Sequence, residues 1–170
     1  MPTQFTLFGP SDKHSLITGG FCISVFAIMR KDGKVLLVKP RENSRWTEEW
    51  APNWRLYSPE ALSNEYKSWR FPSSYIKEGE SPDEALSRVL TQQLGIENYR
   101  MLSSKLLNFY GPSRRYPDRM HWDYCFIYEV RSDESPSIKP WYSSIEFLDL
   151  LSLDEKAFGS GQGGLLEKLA

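Results

Sequence analysis

The chain has 170 residues and a net charge of −1 at neutral pH, with 40% hydrophobic and 25% charged residues. That length supports one domain with a sizeable core, and so small a charge gives no global electrostatic case for nucleic acid or an anionic membrane surface. No apolar run approaches a membrane span, and the opening MPTQFTLFGPSDKH lacks the charged-then-apolar layout of a signal peptide, so a cytoplasmic location is the expectation.

Phe21 to Met29 is rich in β-branched and aromatic residues and reads as a strand. Asp32-Gly33 is a hairpin signal, with Val35 to Val38 pairing back. Residues 40–70 hold four of the six tryptophans, and Pro52 and Pro59 break any long helix there. Within this insertion Ser58 is placed to cap one short helix over Pro59 to Trp69. A connection of this length is long for a compact domain and marks a functional segment, one that walls a pocket, covers a sheet edge or forms a dimer contact.

Met101 to Tyr110 and His121 to Val130 read as strands, joined by a basic turn-rich loop over 111–120. RSDESPSIKP (131–140) is a solvated loop, followed by a strand over Trp141 to Leu148 that carries Glu146. Short helices are predicted over Ser152 to Phe158 and Leu165 to Leu169, with GSGQGG as the joint between them. Cys22 and Cys125 lie in strand-like apolar runs and are expected as buried thiols, not as a disulfide or a metal pair. His14 and His121 stand apart in the sequence, and neither is read as a metal ligand. Strands around helices in this order predict a mixed sheet between helical layers.

The most specific segment is Ser74 to Ile96. Ser81 is an N-cap, Pro82 suits the first helical position, and Glu84 completes an S-x-x-E capping box. Gly95 is placed as the left-handed stop. At about 100° per residue, Ala85, Leu86, Val89, Leu90 and Leu94 form one apolar arc with Gln93 near its middle and Gln92 on its edge. A buried amide needs a partner, because an unpaired one costs about 1–3 kcal/mol.

This segment resembles the signature of the Nudix hydrolase family, G-x5-E-x7-R-E-U-x-E-E-x-G-U, with U a bulky aliphatic residue. Glu80, Arg88, Leu90, Gly95 and Ile96 match it, whereas Ser74, Val89, Gln92 and Gln93 depart from it. The flanks GGFCISVFAIMRKDGKVLLVKPR and MHWDYCFIYEV look like the family's strands, so the resemblance covers about residues 18–150. It implies a single-domain α/β fold, a Nudix-like α/β/α sandwich with a mixed sheet. The core would be 18–150, the aromatic-rich insertion 40–70 and the helical tail 152–170.

The family hydrolyses diphosphates linked to another moiety, using Mg²⁺ or Mn²⁺ held by helix carboxylates at positions i, i+3 and i+4 of one face. Here those positions hold Val89, Gln92 and Gln93. Three neutral groups remove most of the attraction for a dication and any helix-borne general base, so no cofactor is expected. The matching Glu80 and Arg88 are expected to clasp the loop onto the helix. In the alternative, Glu78 and Glu80 hold a cation with help from Asp123 or Glu146. Candidate phosphate and base contacts are Arg41, Arg45, Arg70, Tyr110, Arg114, Arg115 and Trp122, since guanidinium suits phosphate and aromatics suit stacking. The expected function is a domain that binds a nucleotide-like diphosphate compound or a partner and has lost metal-dependent hydrolysis. The rivals are an active Mg²⁺- or Mn²⁺-dependent pyrophosphohydrolase with relocated acids, and an interaction module dimerising through its tryptophans.

Overall fold

Asp32 and Gly33 take φ of 51° and 76°, the backbone of a type I′ turn. They join β1 (Phe21–Lys31) to β2 (Lys34–Pro40). The computed structural model describes residues 21–42, 45–112, 118–137 and 140–169. The two strands pair only near the turn, at Arg30–Val35 and Lys31–Lys34. Beyond it they part, and the chain from Arg70 to Tyr75 threads between them. Arg70 exchanges two backbone hydrogen bonds with Val38, and Ala27 N donates to the Pro72 carbonyl. β3 (Ser73–Tyr75) then pairs antiparallel with β1. Three residues are too few to show a strand periodicity, so β3 has no signal in the sequence.

The sheet runs β4–β5–β1–β2–β6, with β4 (Arg100–Pro112), β5 (Met120–Arg131) and β6 (Tyr142–Leu148). β1 and β5 are parallel and the remaining pairs antiparallel, so the sheet is mixed as expected. Ser24 to Met29 is buried throughout because both faces are covered. Val25, Ala27 and Met29 face one core with Tyr128 and the central helix. Phe26 and Ile28 face a second core with Phe71, Phe158, Leu165 and Leu169. This is the α/β/α sandwich.

The insertion folds inward. It forms α1 (Trp46–Glu49), a 3-10 turn (Pro52–Leu56) and α2 (Pro59–Lys67), the last capped by Ser58 Oγ on Ala61 N. Trp46, Trp50 and Trp54 are buried in the first core. Trp46 packs 5.4 Å from Tyr142 and 6.2 Å from Trp54, ring centre to ring centre. These tryptophans are core residues that also line a cavity, which favours the pocket wall among the three expectations. Large aromatics bury enough area to give a long insertion its own anchor.

The central helix also departs from expectation. α3 is α-helical only over Pro82–Arg88, and Val89–Leu94 continues it as a π turn closed by Gly95 at φ 70°. The capping box is complete, with Glu84 N donating to Ser81 Oγ and Ser81 N to Glu84 Oε2. The C-terminal segment forms 3-10 turns over Leu150–Ser152, Glu155–Ala157 and Gln162–Leu165, then α4 (Leu166–Leu169); the terminal helix falls where expected, and the helix expected over 152–158 is reduced to a 3-10 turn.

Candidate functional site

Arg88 organises the loop before α3. Its Nε and Nη2 donate to the two Glu80 oxygens at 2.6 and 2.7 Å. Nη1 donates to Ser74 Oγ, and Nη2 also to the Tyr75 carbonyl, each at 2.9 Å. Glu80 Oε2 further accepts from Lys77 N. The Arg88 hydrogen bonds hold the Glu80 carboxyl below its usual range against a smaller opposing effect of burial. The pair is a bidentate, nearly buried clasp. Both oxygens thus serve the expected clasp, with Oε1 accepting from Arg88 and Oε2 from Arg88 and Lys77 N. Glu78 is exposed on the same loop. Asp123 on β5 and Glu146 on β6 are separated by β1 and β2 in the sheet, and among the described residues no cluster of three or more His, Cys, Asp or Glu side chains includes Glu78 or Glu80.

The helix face that would carry carboxylates is closed. Val89 and Gln93 are fully buried at 0% exposure. Gln93 Nε2 donates to the Ser73 carbonyl at 2.9 Å, and its Oε1 accepts from the Tyr142 hydroxyl. Both ends of the amide are satisfied, as burial requires. The Ser73 oxygen therefore points at an N–H donor. Gln92 is exposed and lines a cavity of about 390 Å³ with Glu48, Glu49, Trp50, Ser74 and Lys77. The three helix positions offer no carboxylate: Val89 has no donor, and the Gln93 amide oxygen already accepts from Tyr142, so the donor set there fits Mg²⁺ or Mn²⁺ poorly. Glu48 and Glu49, absent from the sequence-derived candidates, approach Gln92 from α1. Both are already paired with Arg45, at 3.3 and 3.2 Å.

The candidate ligand contacts separate. Arg41 and Arg45 are exposed and stand outside the lining of the main cavity. Arg70 lines that cavity but is buried, with Nη2 2.7 Å from Glu65 Oε2 and its guanidinium 4.4 Å over Trp54. Burial pulls its pKa down, opposed chiefly by Glu65. It is a buried ion pair at the cavity wall, not an exposed guanidinium. Tyr110 lines the cavity and meets Trp122 edge-on at 5.5 Å, while Trp122 stands outside the lining. Arg114, Arg115 and His14 lie outside the described residues.

The main cavity measures about 1240 Å³ and runs from Tyr110 and the start of β1 past Trp50 to Gln162. Two donors at its wall, Arg70 Nε and Trp50 Nε1, meet no acceptor among the described residues. His121 is not isolated in the fold. It stands with Cys22 and Asp123, their ligand-type atoms within 4.8 Å of one another. H-x-D alternation in β5 puts two of the three on one face, but nothing local in the sequence pairs Cys22 with them.

A mixed sheet between two helical layers, with an Arg–Glu clasp fixing a loop to the central helix, is the α/β/α arrangement that the sequence resemblance implies. The chain belongs to the NUDIX family: the NUDIX domain model matches residues 20–169. In fold it is similar to a MutT protein from Methanosarcina mazei Go1, at 17% identity and TM-score 0.57, covering 88% of this chain and 92% of that one. A MutT NUDIX hydrolase from Burkholderia pseudomallei gives 16% identity and TM-score 0.57, over 88% and 98% of the two chains. A C. elegans Ap4A hydrolase, solved as a binary complex, gives 13% identity and TM-score 0.52 over 88% and 93%. No curated protein matches this sequence.

Proposed function

We propose that this NUDIX domain binds a nucleotide-like diphosphate compound and lacks the family's helix-borne, metal-dependent hydrolysis. The observation that carries the reading is Gln93, fully buried with both ends of its amide committed inside the protein. A cation would have to displace the Gln93–Ser73 bond and would gain no charge partner at Val89. The binding half of the reading draws on the main cavity, whose volume and aromatic lining suit a mononucleotide-sized compound. Tyr110 is half-exposed there and offers a stacking face. The fold relationship to an Ap4A hydrolase is consistent with a nucleotide derivative.

One observation favours the rival reading. Glu48 and Glu49 reach the smaller cavity beside Gln92 and would be the relocated acids of an active enzyme.

Titration of the metal-free protein with nucleoside diphosphates and their esters, followed by tryptophan fluorescence, tests the binding reading. Saturable quenching without divalent ions is expected. Tyr110→Ala should weaken it about tenfold, since a stacked base contributes about 1–3 kcal/mol. No saturable response across such a panel would overturn the reading.

A further inference from the structure

Cys22 and Asp123 are direct partners in the parallel β1–β5 ladder, and His121 precedes Asp123 by two residues on β5. Alternation along a strand therefore puts all three on one face. They are half-buried and line the main cavity, on the same face as Ser24 and Cys125. His121 Nε2 lies 3.2 Å from Asp123 Oδ1. Among the described residues this is the one group of three or more His, Cys, Asp or Glu side chains close enough to share an ion.

We propose that Cys22, His121 and Asp123 form a binding site for Zn²⁺ or a similar borderline transition-metal ion, with a fourth position open to the cavity. The donor set is one sulfur, one imidazole nitrogen and one carboxylate oxygen. That set selects Zn²⁺-like ions, whereas Mg²⁺ and Ca²⁺ take oxygen alone. Tetrahedral bonds of about 2.0–2.2 Å place neighbouring nitrogen and oxygen ligands about 3.3 Å apart, close to the 3.2 Å found between His121 and Asp123. Binding replaces the His121–Asp123 hydrogen bond by two metal bonds. The Cys22 thiol gives up its proton to solvent and bonds as thiolate; His121 releases to solvent the Nε2 proton it shares with Asp123 and takes one from solvent at Nδ1, so the neutral ring binds through Nε2. Three protein ligands leave a position for water or an anionic oxygen, the arrangement of an open zinc site. Two paired strands hold the ligands, so little backbone ordering is required. The site is separate from the helix positions, and the proposal concerns the ion alone, independently of whether a diphosphate binds.

Cobalt(II) alone is the probe, added to the reduced, chelator-stripped full chain. A thiolate-to-cobalt charge-transfer band should appear, saturate at one equivalent and vanish when Zn²⁺ displaces the cobalt. Cys22→Ser should abolish the band, and His121→Ala should weaken cobalt binding at least tenfold. Cys125→Ser should titrate like the wild type, because burial pushes the Cys125 thiol up to about 11. Far-UV circular dichroism of each variant checks the fold, and Asp123→Asn repeats the test should Cys22→Ser unfold. Absence of the band in the wild type, its survival in folded Cys22→Ser, or its loss in Cys125→Ser alone would overturn the proposal.

Discussion

Replacing Arg88 by alanine should cost the fold about 3 kcal/mol and lower Tm by roughly 10 °C. The side chain makes four hydrogen bonds, to Glu80, Ser74 and Tyr75, and its removal leaves the Glu80 carboxylate nearly buried beside a vacated space. Breaking a buried pair from one side is costly for that reason. Arg88→Lys should recover only part of the loss, since one ammonium cannot reproduce the fork. The effect also has a direction in pH. The folded Glu80 pKa is depressed, chiefly by its hydrogen bonds from Arg88. The clasp therefore contributes fully above the unfolded carboxyl pKa, and its charge-assisted part is lost as pH falls through the folded value. Urea titrations of wild type and Arg88→Ala should show a gap that is widest at neutral pH and narrows in acid. A gap below about 1 kcal/mol at neutral pH would mean that the pair behaves as a solvated surface bridge.

Substituting Gln93→Glu should act with the opposite pH sign. The position is fully buried, and its amide nitrogen donates to the Ser73 carbonyl. A protonated carboxyl can still donate there, so the variant should be near wild-type stability in acid. A carboxylate would face the carbonyl oxygen and lose its solvation, so burial raises the folded pKa of the introduced group. Its stability is fully present below the unfolded carboxyl pKa and is lost as pH rises through the folded value. The deficit at neutral pH should reach about 2–3 kcal/mol by urea denaturation. Added Mg²⁺ should not restore it. Rescue by Mg²⁺ would show that the helix face still accepts a cation and would contradict the closed-face account.

The sequence carried the start and stop of α3 because they are local. Ser81, Pro82, Glu84 and Gly95 act within a few residues of where they stand. The α/β/α sandwich was legible for a related reason, since alternating runs and the Asp32-Gly33 turn report faces directly. The π winding was not legible. Gln93 finds its partners at Ser73 and Tyr142, far away in the chain, and only the assembled sheet brings them to it. The insertion was legible only as alternatives: that its tryptophans wall a cavity and also enter the core depends on Tyr142 on β6 and the central helix, which no local pattern brings to them. Arg70 was read as a ligand contact because its ion-pair partner, Glu65, sits on α2, whose orientation no local pattern fixes. The Cys22–Asp123 pairing depends on a parallel register between strands a hundred residues apart, which no turn specifies.

These positions share one consequence. Glu80 and Arg88 clasp the loop onto the central helix, while Gln93 uses the Ser73 carbonyl that faces the helix. On the proposed reading the frame is retained, while Val89, Gln92 and Gln93 offer no anionic donor on the helix. The most direct test is release of phosphate or nucleotide from a panel of nucleoside diphosphate derivatives, measured with and without Mg²⁺ or Mn²⁺. The account predicts no metal-dependent turnover above the protein-free blank. Mg²⁺- or Mn²⁺-dependent turnover that disappears in the folded Glu48→Gln/Glu49→Gln double variant would contradict it and establish the smaller cavity as an active site.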